Sequence, residues 1–375
     1  MKRILVVGGG PAGLFFALLA KRSLPTADVV VREQNPSGVT YGWGFGFSQS
    51  AIDALRPTAP DIIAQLEGNS AHDVMEIVLN GEVVQIAGDT NHCNPRWALL
   101  NVLETAAEAA GVRISHDDMA ELDEAELERW SLVVAADGIN SRTRERFAGA
   151  FEPTVELTEN WLAWYGTKKF FNPSIILHDT PDGVVMSHAT RFSAEMSNFT
   201  IEIGQQTFDA LGFASMTEAE SVTVCEKLFA DYLDGESLVS NHSPWFQAKF
   251  VHCARWSYRN LVLIGDALHT VHPSIGAGTR FGMRDAVYLL EGLVANAWDV
   301  TAGLDSYESR RKPVADGFQQ AARRSIAWYE GLPHRRIDDP VKFALEFFMR
   351  TGRIRYPDFR EQNKAVIETF ETQLR

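Results

Sequence analysis

Cysteine is scarce. The 375-residue chain holds three, Cys93, Cys225 and Cys253, an odd and unpatterned set that excludes a disulfide-stapled frame. It fits reduced thiols, buried as small hydrophobes, in a cytoplasmic protein. Long apolar runs are missing as well, and no stretch approaches the roughly 18 uninterrupted apolar residues of a membrane span. Met1-Lys2-Arg3 and the apolar residues after it imitate a signal peptide. Gly8-Gly9-Gly10-Pro11 breaks what would have to be a continuous apolar region, so the segment reads as a first strand and helix. Positive charge is in deficit, with 35 Lys and Arg against 49 Asp and Glu. The resulting net charge of −14 argues against nucleic acid as a partner, because phosphate binding needs a basic footprint. Metal-ligand spacing is lacking: His269 and His272 bring no carboxylate pair with them. Internal repeats and low-complexity stretches are absent.

What is present is a 45% hydrophobic chain long enough for two or so domains. Its basic residues gather late. Residues 301–360 carry twelve Lys and Arg against eight Asp and Glu, with clusters at Arg310-Arg311-Lys312, Arg323-Arg324 and Arg335-Arg336. These are either solvated helix faces or a site for a phosphate-bearing ligand.

Three separated segments ask for one dinucleotide. Each follows an apolar run that reads as a strand, so each puts tight turns at a strand end. The first is Gly8-Gly9-Gly10-Pro11-Ala12-Gly13, between Ile4-Leu5-Val6-Val7 and the apolar helix from Leu14 to Ala20. There Gly8 allows the turn, Gly10 lets backbone approach a pyrophosphate, and Gly13 lets helix and strand pack closely. The helix start offers free N–H groups to the phosphates. Glu33 ends the next strand, 20 residues beyond Gly13, where an acid can bond an adenosine ribose. The second segment is Asp137-Gly138, delivered by Leu132 to Ala136. The third is Gly265-Asp266, running on to Gly276-Ala277-Gly278.

Asn80-Gly81 between two alternating runs, Val74–Leu79 and Glu82–Ile86, predicts a hairpin. Arg96 opens an amphipathic helix to Ala110, with Leu99, Leu103 and Ala106 on one stripe. The aromatic and glycine-rich stretch from Tyr41 to Phe47 reads as a loop, its rings either covering a flat ligand or packing a turn. From Trp161 the texture turns to strands through Ile203, then to a helix over 217–233. Beyond residue 300 the chain reads as mostly helix, with breaks near Gly331-Leu332-Pro333 and Tyr356-Pro357. Among polar residues of the strand-rich part, Tyr165 and His188 are candidates for hydrogen-bonding a substrate. The alternative for His188 is a satisfied structural histidine.

Together, Val6 to Leu14, Ala136-Asp137-Gly138-Ile139-Asn140-Ser141-Arg142 and Leu263 to His269 resemble the three fingerprints of the class A, single-component flavoprotein aromatic hydroxylases, in order and spacing over nearly the whole chain. The resemblance implies an α/β fold: a Rossmann-like FAD-binding domain in three parts (1–70, 95–155 and 251–300), a substrate domain made of a β-hairpin excursion (71–94) and an inserted mixed β-sheet (156–250), and a C-terminal helical region (301–375). It implies FAD and NADPH or NADH, with dioxygen activated as a flavin hydroperoxide and one oxygen atom passed to an aromatic ring. By the same resemblance Asp266 would bond the ribityl chain, Arg96 would lie near the FAD phosphates, and Asp137-Gly138 with Arg142 or Arg144 would serve pyrophosphate and nicotinamide cofactor. Gly276, Ala277, Gly278 and Thr279 would set a helix start against the flavin's pyrimidine edge, with His272-Pro273 beside its ring. Ala277 departs from the family's usual glutamine, and Gly9 from a more usual alanine.

Gly42-Trp43-Gly44, Trp164-Tyr165-Gly166-Thr167, His188 with Met196 to Phe199, and His272 to Thr279 are further similar to a branch of that family acting on aroyl-CoA thioesters and on an indole-derived pigment precursor. A flavin reductase or dehydrogenase that transfers no oxygen, and a non-catalytic flavin-binding sensor, would share the nucleotide motifs.

Overall fold

The computed structural model describes residues 1–40, 42–67, 70–335 and 337–373. Ile4 to Val7 and Leu132 to Ala135 are buried without alternation, as strands covered on both faces must be. They lie side by side at the centre of a six-stranded sheet. Its order is Ser257–Tyr258, Leu261–Leu263, Leu132–Ala135, Arg3–Val7, Asp28–Arg32, Arg113–Ser115, parallel throughout except for the first pair. The helix Pro11–Ser23 packs between Arg96–Ala109 and Gly278–Ala295 on this sheet.

The second sheet has nine strands. Leu238–Val239, Pro153–Thr167, Ser197–Ile203, Gly183–Arg191, Ser174–Thr180, Ala71–Leu79, Glu82–Pro95 and Gly44–Ser48 follow one another, and Phe246–Cys253 pairs with the long Pro153–Thr167 strand. The hairpin turns at Asn80 and Gly81, both with positive φ. Its strands reach beyond the expected runs to Ala71 and Pro95, and parallel pairing of Ala71–Leu79 with Ser174–Thr180 carries the hairpin into this sheet. Part of the expected glycine-rich loop is a strand: Gly44–Ser48 pairs with Asn91–Pro95. A side chain at Gly44 would stand 2.4 Å from Phe192, so only glycine lets this edge close. Tyr41 lies outside the described residues.

The alternation of this sheet sorts its side chains by face. One face carries Ala163, Tyr165, Phe199, Ile201 and Val185, sealed by the helices Gln205–Leu211, Glu218–Leu228 and Ala230–Leu233. The other carries Trp164, Asn198, Glu202, Met186 and His188, in register across three strands, and its apolar end packs under Trp328, Tyr329 and the helix Pro340–Met349. The 31-residue helix Val300–Glu330 joins the two halves, with Leu304, Tyr307 and Ala322 in the first core and Trp328 and Tyr329 in the second. Among the described residues no helix is long and apolar enough to cross a membrane.

Candidate cofactor and substrate site

The first glycine loop is shaped by collisions that its glycines avoid. Gly8 has φ +103°, and a Cβ there would stand 2.4 Å from the Ala136 carbonyl oxygen. A Cβ on Gly13 would meet the Gly8 carbonyl oxygen at 2.2 Å. Gly10 differs, because an added Cβ would have no atom within 4 Å, so its backbone borders open space at the helix start. Pro11 is buried in the first turn of that helix, and the Ala12 methyl fits between Gly265 and Gly282, pinning the helix to the third segment. Glu33 closes the loop from the second strand. Its Oε2 accepts the Gly9 N–H at 2.6 Å, and its Oε1 accepts both the Asn35 N–H and side-chain amide.

The other two segments come together beside the first, held by Asp137 and Arg144, which the motifs named, and by Asp285, which they did not. Asp137 caps its own turn, accepting the Ser141 hydroxyl at 2.6 Å and the Thr143 N–H at 3.0 Å. Gly138 has φ +78° and open space where a Cβ would go. Arg144, 2% exposed, donates to the carbonyls of Ile139 (2.7 Å) and Ala267 (2.9 Å), tying the second segment to the third. Arg142 is exposed and reaches Met119 instead. Asp285 is fully buried beneath Gly265. It accepts the Gly265 N–H at 2.9 Å, His269 Nε2 at 2.8 Å and Arg311 Nε at 2.8 Å. Burial pushes the Asp285 carboxyl up, but His269 and then Arg311 outweigh it and hold the group below the usual carboxylate range. Arg311 therefore leaves the late basic cluster for a buried ion pair.

Asp266 opens into the cleft while deeply surrounded by protein, and burial raises its carboxyl against the pull of Arg96. Arg96, at the start of its helix, has its pKa lowered by burial, with Asp266 acting the other way. Beyond Asp266 the chain passes through buried His272 and exposed Pro273 to Gly276, at φ +62°, and buried Ala277. Gly276 and Gly278 have no atom within 4 Å of an added Cβ. Thr279 lies in the first turn of the Gly278–Ala295 helix, so that helix points its positive end at the same open space.

On the sheet side the two substrate candidates part company. Tyr165 is fully buried on the sealed face, with its hydroxyl 3.2 Å from Ser221 Oγ. Strand alternation turns Tyr165 to this face and turns its neighbours Trp164 and Gly166 to the other, against Gly42 and Trp43. His188 lies on the open face, its Nε2 3.5 Å from Glu202 Oε2. Glu202, 2% exposed, also accepts Asn160 Nδ2 at 3.0 Å and faces His272 Nε2 at 3.9 Å. The two histidines of the third segment thus diverge, His269 to Asp285 and His272 to Glu202. The three thiols are free and buried, and burial lifts Cys253 to about 11.

A family model described as "FAD binding domain" matches residues 123–322. A salicyloyl-CoA 5-hydroxylase from a Streptomyces species is 37% identical over 93% of this chain and 70% of its own length. The chain belongs to the FAD-dependent aromatic hydroxylases. A 3-hydroxy-4-methyl-anthranilyl-[aryl-carrier protein] 5-monooxygenase from Streptosporangium sibiricum is 33% identical over 97% of this hydroxylase and 99% of its own length. In fold, a solved structure of 2-methyl-3-hydroxypyridine-5-carboxylic acid oxygenase matches it with a TM-score of 0.72 over 96% of both chains, at 18% identity. FAD is the cofactor of the hydroxylase and NAD(P)H its reductant. The three segments fit FAD on their own geometry: an added Cβ at Gly10, Gly138, Gly276 or Gly278 would have no atom within 4 Å, so backbone in each segment stands open to a ligand.

Proposed function

We propose that this hydroxylase acts on an activated aromatic ring carried as a thioester. The observation that carries this reading is the agreement of two relatives over nearly the whole chain. One is named for a coenzyme A thioester and the other for an aryl group on a carrier protein. The distribution of basic residues supports it. Arg310, Lys312, Arg323 and Arg335 are each paired with an acid. Among the described residues, Arg280, Arg324, Arg350 and Arg353 have no acid partner. They donate to a hydroxyl or carbonyls, or lie over Phe318 and Phe347. Unpaired guanidinium groups suit the phosphates of a thioester tail. Arg336 lies outside the described residues.

In this reading Gly8, Gly10, Pro11, Ala12 and Gly13 form the pyrophosphate turn, and Glu33 bonds the adenosine ribose. Arg96 faces the phosphates, Asp137-Gly138 closes the turn beside them, and Gly265-Asp266 holds the ribityl chain. Gly276 to Thr279 present the helix start to the flavin edge, with Pro273 against its face. Bound FAD supplies the redox chemistry, taking electrons from NAD(P)H and activating dioxygen. The protein's own work is to hold the ring in place and exclude water. The cytoplasm, with its reduced thiols and nicotinamide supply, is the compartment that fits. The test is NAD(P)H and oxygen consumption with 2-hydroxybenzoyl-CoA, free 2-hydroxybenzoate and an indole side by side, with products identified. A free acid turned over as efficiently as its thioester removes the thioester, and flavin reduction without oxygen consumption would favour a reductase.

A further inference from the structure

Glu202 is a buried carboxylate without a full complement of partners. Its Oε1 takes the Asn160 amide, while its Oε2 and His188 Nε2 face each other at 3.5 Å, and neither has another hydrogen-bond partner among the described residues. His272 completes the group. Its Nδ1 accepts the Ser274 N–H at 3.3 Å and faces the Ser274 hydroxyl at 2.6 Å, so the ring proton sits on Nε2, directed at Glu202. Tyr329 lies beside both imidazoles, with ring centroids 5.5 Å from His188 and 5.9 Å from His272. Arg350 lies over Tyr329 and donates to the Ser274 carbonyl. Glu330, on the same helix as Tyr329, also acts on Glu202, and its own carboxyl is raised chiefly by burial. These are the charged and titratable groups facing Glu202 from the sheet, the cofactor loop and the C-terminal helices.

A packed core gains little from such a group, because charges taken out of water repay their desolvation only with good geometry and full hydrogen bonding. Position argues for a task. Glu202 and His188 stand on the open face of the sheet, and His272 stands on the loop that runs through Pro273 into Gly276 and Gly278, so the group spans sheet and cofactor cleft. One member stays accessible: the His188 side chain is 19% exposed, against 1% for Glu202 and 1% for His272. With Nε2 buried against Glu202, the nitrogen left for a ligand is Nδ1.

We propose that His188 is a catalytic residue that accepts the proton of a ring hydroxyl on the substrate, with Glu202 and His272 as positioning residues. This rests on the aromatic-hydroxylase reading above and narrows its substrate class. The phenolic O–H bond breaks, the proton joins His188 Nδ1, and the electron pair stays on oxygen, where it enriches the ortho and para carbons. The oxidant is dioxygen activated by flavin that NAD(P)H has reduced. One oxygen atom bonds to the enriched carbon and the other leaves as water. The ring regains aromaticity as the proton of that carbon passes to the oxygen leaving as water, and the imidazolium returns its proton to the former phenol oxygen as product departs.

The test titrates a bound probe and needs no turnover. Oxidised holoenzyme is mixed with 2-hydroxybenzoyl-CoA, and the phenolate absorbance and proton release are followed against pH. In the native enzyme the bound probe ionises at least about one pH unit below the free probe, a tenfold shift in the equilibrium. In His188→Gln the bound probe titrates like the free one, and in Glu202→Gln it falls between, with FAD content unchanged in both. A His188→Gln titration identical to the native one, or native binding without a shift, overturns the proposal. A holoenzyme that binds no thioester removes the thioester instead, and the same titration with 2-hydroxybenzoate then decides the role of His188. Failure to bind either probe overturns that role.

Discussion

Glycines 8, 10 and 13 share one loop but serve it differently, and substitutions should separate them. Gly8→Ala drives a methyl toward the Ala136 carbonyl in a backbone conformation that side chains rarely adopt, so it should destabilise folding by about 1–3 kcal/mol, measured by denaturant unfolding of the apoprotein. Gly10→Val meets nothing in the protein. It should leave apoprotein stability unchanged and yield colourless enzyme, since its side chain enters the space a pyrophosphate needs. Full flavin occupancy in Gly10→Val would remove that loop from the cofactor site. Asp266→Ala, losing a hydrogen bond to a charged group, should weaken FAD by about 1.5–3 kcal/mol in an equilibrium titration of the apoprotein. Asp285 makes a different demand. Its carboxyl is depressed in the folded protein, so the stability it contributes is complete above its unfolded pKa and is lost as pH falls through the lower, folded value. Asp285→Asn should flatten the acid limb of the stability profile, and an unchanged limb would assign acid unfolding to other groups. Gly8 and Gly13 were legible in the sequence because each answers a local backbone need. Arg144 was legible only as a cofactor candidate and Asp285 not at all, since their partners lie as far as 123 residues away and only the folded chain brings them together.

Strand alternation is a local rule, yet which face of a strand meets the cleft is decided by what packs on it from elsewhere. Tyr165 and His188 both stand in the inserted sheet as polar residues with room to bond a substrate. The helices Gln205–Leu211 and Glu218–Leu228, which follow these strands in the chain, seal one face and take Tyr165 with them. The capping box at Thr217 and Glu220 that starts the second helix is visible in the sequence, but its docking face is not. Tyr165→Phe should therefore keep turnover and KM within about twofold of native and cost at most about 1–1.5 kcal/mol in stability, the range of one modest hydrogen bond. A tenfold fall in kcat would return Tyr165 to the site. The hairpin at Asn80-Gly81 and the helix from Arg96 were legible because turn chemistry and 3.6-residue periodicity are written within a few residues. The Gly44–Ser48 strand was hidden because its pairing depends on the edge of another hairpin and on space for Phe192.

At the scale of the whole molecule, one helix ties the two cores together, and the late basic excess divides between ion-paired groups and guanidinium groups without an acid partner among the described residues. Arg311 is consumed in the core, and Arg323 and Arg335 meet Glu156 and Glu346 across the surface. Arg280 follows Thr279 in the helix whose start borders the open space at Gly276 and Gly278, and it lies over Phe318 together with Arg353 from the C-terminal segment. Two cations on one ring repel each other, against the opposing pull of Asp89 on Arg280, and an anion between them relieves that repulsion. Burial and then Arg353 hold the pKa of Arg280 below its usual value. Charge counting along the chain points to Arg335 and Arg336 as readily as to these two, because a net excess does not say which cations already have partners. Neutralising Arg353 to Gln should raise KM for 2-hydroxybenzoyl-CoA by about tenfold, the effect of losing one charge-assisted contact. It should leave the rate of flavin reduction by NAD(P)H unchanged in stopped-flow measurements, since a remote contact contributes uniform binding. The loss should shrink in high salt, as screened interactions do. Arg335→Gln, which only frees Glu346 at the surface, should move KM by less than about twofold. An equal rise in both variants would mean that overall charge attracts the substrate. An unchanged KM in Arg353→Gln, with an indole turned over as well as the thioester, would leave the ring as the only part of the substrate that the enzyme recognises.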